Sequence, residues 1–213
     1  MSKVKIPKYN LAEEIINSVS HGIGAGLAIA ALVLCLIKAS DTLGVVSSAL
    51  YGSLMILLYI ISCVYHALSP KLTGKKVLRV IDHCNVLLMV AGTYMPICMS
   101  LLDGVIGWTT FGIVWGITIL AVVFNCIDVD KYSVISVICN LVLGWGCLIL
   151  IKPLMSVCPM EGIWLLISGG IVYTVGSILY GVGSKIPYLH SIFHFFVLAG
   201  SILHFLFIYN YCI

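Results

Sequence analysis

Charge is scarce in this sequence. Only 9% of its residues are Asp, Glu, Lys or Arg, 62% are hydrophobic, and the mean hydropathy is +1.17. So little polar surface cannot enclose the corresponding core, which excludes a water-soluble globular domain. The alternation of polar and apolar residues that a transmembrane β-barrel requires in segments of about ten is also lacking. No low-complexity stretch or long linker interrupts the chain, so one body over residues 1–213 is expected. A small-residue cleavage site is missing after the first hydrophobic run, which follows Glu13 and Glu14, and that run is expected to stay as the first helix. Nine cysteines are present without any paired spacing, and most fall in apolar runs, where a free thiol behaves as a small apolar residue. Cys158 and Cys212 fall on the same predicted side and are the two that can pair.

What remains is a series of continuous apolar runs near the roughly twenty residues needed to cross a hydrocarbon core of about 30 Å. They cover 20–38, 44–68, 77–101, 106–125, 133–151, 162–181 and 189–211. The expected fold is therefore all-α, a bundle of seven transmembrane helices. With the N-terminus in the cytoplasm, Lys3, Lys5, Lys8, Lys71, Lys75, Lys76, Arg79, Lys131 and Lys185 lie inside, and only Lys38 and Lys152 lie outside. That bias predicts a cytoplasmic N-terminus and an external C-terminus. The formal net charge of +3 then belongs to juxtamembrane segments facing anionic lipid, which predicts membrane lipids as partners and no nucleic acid.

Against this apolar background the ionisable residues stand out, because such groups in a membrane span are expensive and need partners. His66 falls near the inner end of the second predicted helix, Asp82 just after the inner start of the third, and His190 and His194 in the first turns of the seventh. All four occupy one slab of membrane. His190 and His194 are four apart, about one helical turn, which suits two imidazoles sharing one zinc ion or making interhelical hydrogen bonds. His66 would complete a set of three ligands with one position open. Ser62, four residues before His66, and Asp82 are placed to hold a water there. Asp82 has Arg79 as an alternative partner.

Other polar residues fit the site less directly. His21 follows Glu14, Asn17 and Ser20 in a polar strip, which suits a helix cap or a supporting position beside the site. His83 should point away from its neighbour Asp82. His204, fourteen residues past His190, lies about 21 Å along the helix and cannot share an ion with it. Gly22, Gly24, Gly26, Gly176 and Gly181 are expected to permit close helix packing. Pro96 is expected to kink the third helix and open space beside the site.

The segments from Glu14 to Gly22, Ser62 to His66, Asp82-His83 with Gly92-Thr93-Tyr94-Met95-Pro96, and His190 to His194 with the later His204-Phe205 resemble, together and in order, the bacterial hemolysin III family of the progestin and adipoQ receptor superfamily. The resemblance spans nearly the whole chain. It implies seven helices with a cytoplasmic N-terminus in a bacterial plasma membrane. It also implies zinc on His66, His190 and His194, with Ser62 and Asp82 holding the water. Three activities follow from it: a zinc-dependent hydrolase of lipid amides or esters involved in membrane-lipid homeostasis, a haemolysin that perforates or perturbs membranes, and a ligand-sensing receptor with a structural zinc. The absence of a secretion signal speaks against direct toxin action. An open coordination position favours the hydrolase.

Overall fold

A computed structural model describes residues 4–102, 104–183 and 186–213. Its seven helices long and apolar enough to span a membrane are α1 Leu11–Lys38, α2 Thr42–Ala67, α3 Thr73–Leu101, α4 Gly104–Asp128, α5 Ser133–Val157, α6 Met160–Gly183 and α7 Leu189–Tyr211. Lys3 and Lys185, two of the nine basic residues assigned to the inner side, lie outside the described residues.

The first helix begins nine residues earlier than the hydropathy pattern predicts, and the reason is local. Asn10 caps it: its side-chain oxygen accepts the Glu13 N–H at 2.9 Å, and Glu13 Oε2 accepts the Asn10 N–H at 2.9 Å. This reciprocal pair satisfies two backbone donors that a helix start leaves open. The helix then buries Glu13, Asn17, Ser20, Gly24, Ala28, Ala31 and Cys35, a stripe at spacings of three or four. Ile15, Val19, Ile23 and Leu27 are exposed on another face. Apolar residues outside and polar or small ones inside is the arrangement that suits lipid as solvent.

Two helix pairs, α1 with α2 and α6 with α7, form the most extensive contacts, and α1 also packs on α7 so that the two ends of the chain meet. The central element is α3, with 72% of its apolar window buried. Gly24 permits a close approach near the middle of α1, since a Cβ there would lie 2.5 Å from the Tyr59 ring. Tyr59 in turn donates to Ser201 Oγ of α7 at 2.7 Å. Gly26 and Gly181 do not serve the expected packing role, for both face open space, whereas Gly22 and Gly176 do meet neighbouring helices.

A π-helical turn follows Pro96. The α-helical part of α3 ends at Pro96 and continues as a π-helical turn over Ile97–Leu101, closed by the Leu102 N–H on the Ile97 carbonyl at 2.8 Å. Proline has no N–H for the carbonyl four residues back and its ring crowds it, which interrupts the regular α-helical pairing there. The fifth span also runs past its predicted end: a 3₁₀ segment at Gly146–Leu150 leads into a last helical stretch, Ile151–Val157. All nine cysteines are free, and Cys158 and Cys212 are both buried.

Candidate metal centre

The starts of α1, α3 and α7 and the end of α2 lie at one end of the bundle, and each contributes polar side chains to a common centre. His66, His190 and His194 are all buried, and one ring nitrogen from each lies within 4.8 Å of the other two. The His190 and His194 Nε2 atoms are 3.2 Å apart. Two nitrogens bound at about 2.0–2.1 Å to a tetrahedral ion stand roughly 3.3 Å apart, so this pair already has ligand spacing. An N–H···N hydrogen bond between the rings would give a similar distance. Such a bond has no need of a third imidazole, and His66 converges from another helix.

The chemistry of the donor set fits a metal in a second respect. His66 Nδ1 lies 2.7 Å from Glu14 Oε2, leaving Nε2 as the remaining ring nitrogen to face an ion. A ligating histidine that gives its other N–H to a carboxylate is the common arrangement in protein metal sites. Glu14 Oε1 accepts from Lys75 Nζ at 2.5 Å, and the same ammonium donates to the Leu68 carbonyl at 2.9 Å. Lys75, one of the basic residues expected to face lipid headgroups, is instead buried, its side chain 1% exposed. Arg79 is likewise buried, and its partner is not Asp82 but Asp130, at 2.8 Å from Nη1.

A cavity of about 120 Å³ adjoins the histidines and is lined by Tyr9, Ser62, Asp82, His83, His190 and His194 among others. Ser62 and Asp82 line this cavity together. His21 also lines this cavity, its ring centroid 3.9 Å from that of His194. His83 faces the same cavity rather than pointing away, and its Nε2 is 3.0 Å from the Tyr180 hydroxyl. His204 is apart from the cluster and contacts the Leu166 carbonyl at 3.2 Å. A second, more apolar cavity of about 110 Å³ shares Asn140, Ser177 and Phe193 with the first and continues along Thr93, Ile97 and Tyr173.

The segment before α1 covers the centre. Tyr9 stacks on His190 with centroids 4.7 Å apart and planes 17° from parallel. Burial pushes the Tyr9 phenol above its ordinary value, with Tyr180 and Glu14 adding to the effect, so it remains an uncharged O–H. The Lys5 N–H donates to Asp130 Oδ2 at 2.9 Å. Although burial works against the Asp130 charge, this bond and Arg79 together hold its carboxyl below the usual range. Sequence reasoning singled out all three histidines, Asp82 and Ser62, but left Glu14 without a role and missed Tyr9 and Lys75. The spacing of Glu14, Asn17 and His21 was a signal for one helix face; Tyr9 offered none.

Comparison with known proteins finds matches across almost the whole chain. The family model described as "Haemolysin-III related" matches residues 9–205. "Hemolysin-3 homolog" of Bacillus subtilis (strain 168) is 38% identical over 208 residues, covering 96% of this chain and 97% of that protein. "Hemolysin-3" of Bacillus cereus is 39% identical over 197 residues, 91% of this chain and 89% of its own length. A more distant likeness, 24% over 177 residues, joins it to the human "Monocyte to macrophage differentiation factor", with 78% of this chain and 70% of that protein covered.

Proposed function

The chain belongs to the haemolysin-III-related family, and on that premise we propose that it is a zinc-dependent hydrolase of amide or ester bonds in membrane lipids. The observation that carries this reading is the convergence of His66, His190 and His194 beside a cavity that Ser62 and Asp82 line. His66, His190 and His194 would hold the ion. Zinc bound there would supply Lewis-acid activation of a carbonyl and of water.

The chain's own residues supply the rest. The Asp82 carboxylate accepts the proton of the attacking water and returns it to the leaving nitrogen or oxygen as the carbonyl–heteroatom bond breaks, giving a fatty acid and an amine or alcohol. Ser62, which lines the cavity with Asp82, orients it. Tyr9 and Pro7 line the cavity and limit entry of bulk water, which strengthens the electrostatic interactions inside. The adjoining apolar cavity offers room for a hydrocarbon tail.

Lipid analysis of membranes holding the wild type or His194→Ala tests the reading. A lipid class bearing an amide or ester bond should fall, and its fatty acid rise, only with the wild type. The name of the Bacillus cereus relative, "Hemolysin-3", favours a second reading as a membrane-perturbing protein. Unchanged lipids together with vesicle leakage that survives His194→Ala would select it.

We also propose a cytoplasmic N-terminus and an external C-terminus, supported by the nine-to-two distribution of basic residues. Single cysteines introduced at Lys5 and Ile213 of a cysteine-free chain are expected to react with an impermeant thiol reagent from opposite faces. Labelling of both from one face refutes the orientation.

A further inference from the structure

Lys75 and Glu14 form an ion pair whose placement is hard to explain by stability. Lys75 is 1% exposed and Glu14 13%. Desolvating two charges offsets most of what their attraction returns, so a buried pair is weak evidence of stabilisation. This pair is also fully engaged at both ends. Lys75 Nζ binds Glu14 Oε1 and the carbonyl of Leu68, the residue that ends α2, and sits 5.1 Å from the Tyr65 ring centroid. Glu14 uses its other oxygen on His66 Nδ1. The chain of contacts therefore runs from α3 through α1 to the histidine on α2.

We propose that Glu14, locked by Lys75, is a positioning residue that fixes the tautomer and ring orientation of His66. This inference rests on the metal-site reading above. Nδ1 of His66 has two neighbours, Glu14 Oε2 at 2.7 Å and Asn17 Nδ2 at 3.4 Å. A carboxylate only accepts and an amide NH₂ only donates, so the two neighbours ask for opposite tautomers. The shorter, charge-assisted contact decides: Nδ1 carries the hydrogen and Nε2 presents its lone pair to the ion. Without the ammonium on Oε1, the carboxylate has no second anchor to hold it at His66. Ser18 Oγ, which donates to the Cys63 carbonyl at 3.0 Å, keeps α1 in register with α2 beneath this contact.

The test uses the full chain in detergent, with Co²⁺ as the probe because its visible absorption reports coordination. Affinity is measured by competition with a chelator for the wild type, Glu14→Gln, and the double variant Glu14→Gln/Lys75→Met. Glu14→Gln is expected to bind Co²⁺ about 10–100-fold more weakly, the range for loss of an outer-shell partner, with altered absorption bands. The double variant removes the stranded ammonium, so its thermal stability should return while its affinity stays low. Wild-type affinity in the double variant would overturn the inference by making the pair merely structural. Unchanged affinity in Glu14→Gln beside a wild type that binds would overturn it alone. A wild type that takes up no Co²⁺ overturns the metal reading and this inference with it.

Discussion

Alanine at His66, His190 or His194 is expected to strip the chain of metal, whereas the wild type should purify with about one zinc per chain. Each substitution removes one of the three buried imidazoles that could hold the ion. The loss should exceed the roughly 10–100-fold in affinity that follows removal of an outer-shell partner. Elemental analysis of the purified variants checks this. His204→Ala is the internal control, because His204 contacts the Leu166 carbonyl and stands outside the cluster. Undiminished zinc in all three cluster variants would refute the site. Loss confined to the His204 variant would relocate it.

The second large effect concerns turnover. Asp82→Asn keeps the shape of the carboxylate but cannot take up a proton, so it should retain most of its zinc and lose lipid amide or ester cleavage by about 10²–10⁴-fold. His190→Ala should lose both properties. The contrast follows from position: Asp82 lines the cavity with Ser62, but it is not one of the three converging donors. Full activity of Asp82→Asn in an assay where the wild type cleaves would remove the carboxylate from the chemistry. A wild type that cleaves no lipid amide or ester favours the membrane-perturbing reading.

The sequence exposes the spans and the clustered histidines for the same reason: a polar residue in a continuous apolar run is conspicuous. His66, His190, His194 and Asp82 could thus be assigned to one end of a seven-helix bundle from their depth alone. Hydropathy failed where a helix turns a polar face inward at a membrane boundary. The first turns of α1 carry Glu13, Glu14 and Asn17, and on that scale they resemble a loop, although the cap at Asn10 makes them helical. Lys75 was hidden among basic neighbours. Lys71 is exposed and Lys75 buried, and only the helix register, combined with knowledge of where Glu14 lies, separates them. Tyr9 precedes any helix, so no periodicity could aim its ring at His190.

The meeting of α1 and α7 has a further consequence for how the protein is made. Glu13 Oε1 accepts the Tyr188 N–H at 2.7 Å, holding the residue that precedes α7 in a left-handed conformation, φ 63°. Left-handed backbone is uncommon for a tyrosine and persists where its surroundings secure it. Its anchor, Glu13, is synthesised 175 residues earlier. From His66 to His190 is 190 − 66 = 124 residues, roughly 6–25 s of translation at about 5–20 residues per second. During that interval α1, α2 and α3 can already join Glu14, His66 and Lys75, while the other two nitrogens do not yet exist. Completion of the histidine cluster therefore waits for α7 to insert, and a ribosome-bound chain stopped before α7 carries a finished cradle with one of the three imidazoles in it.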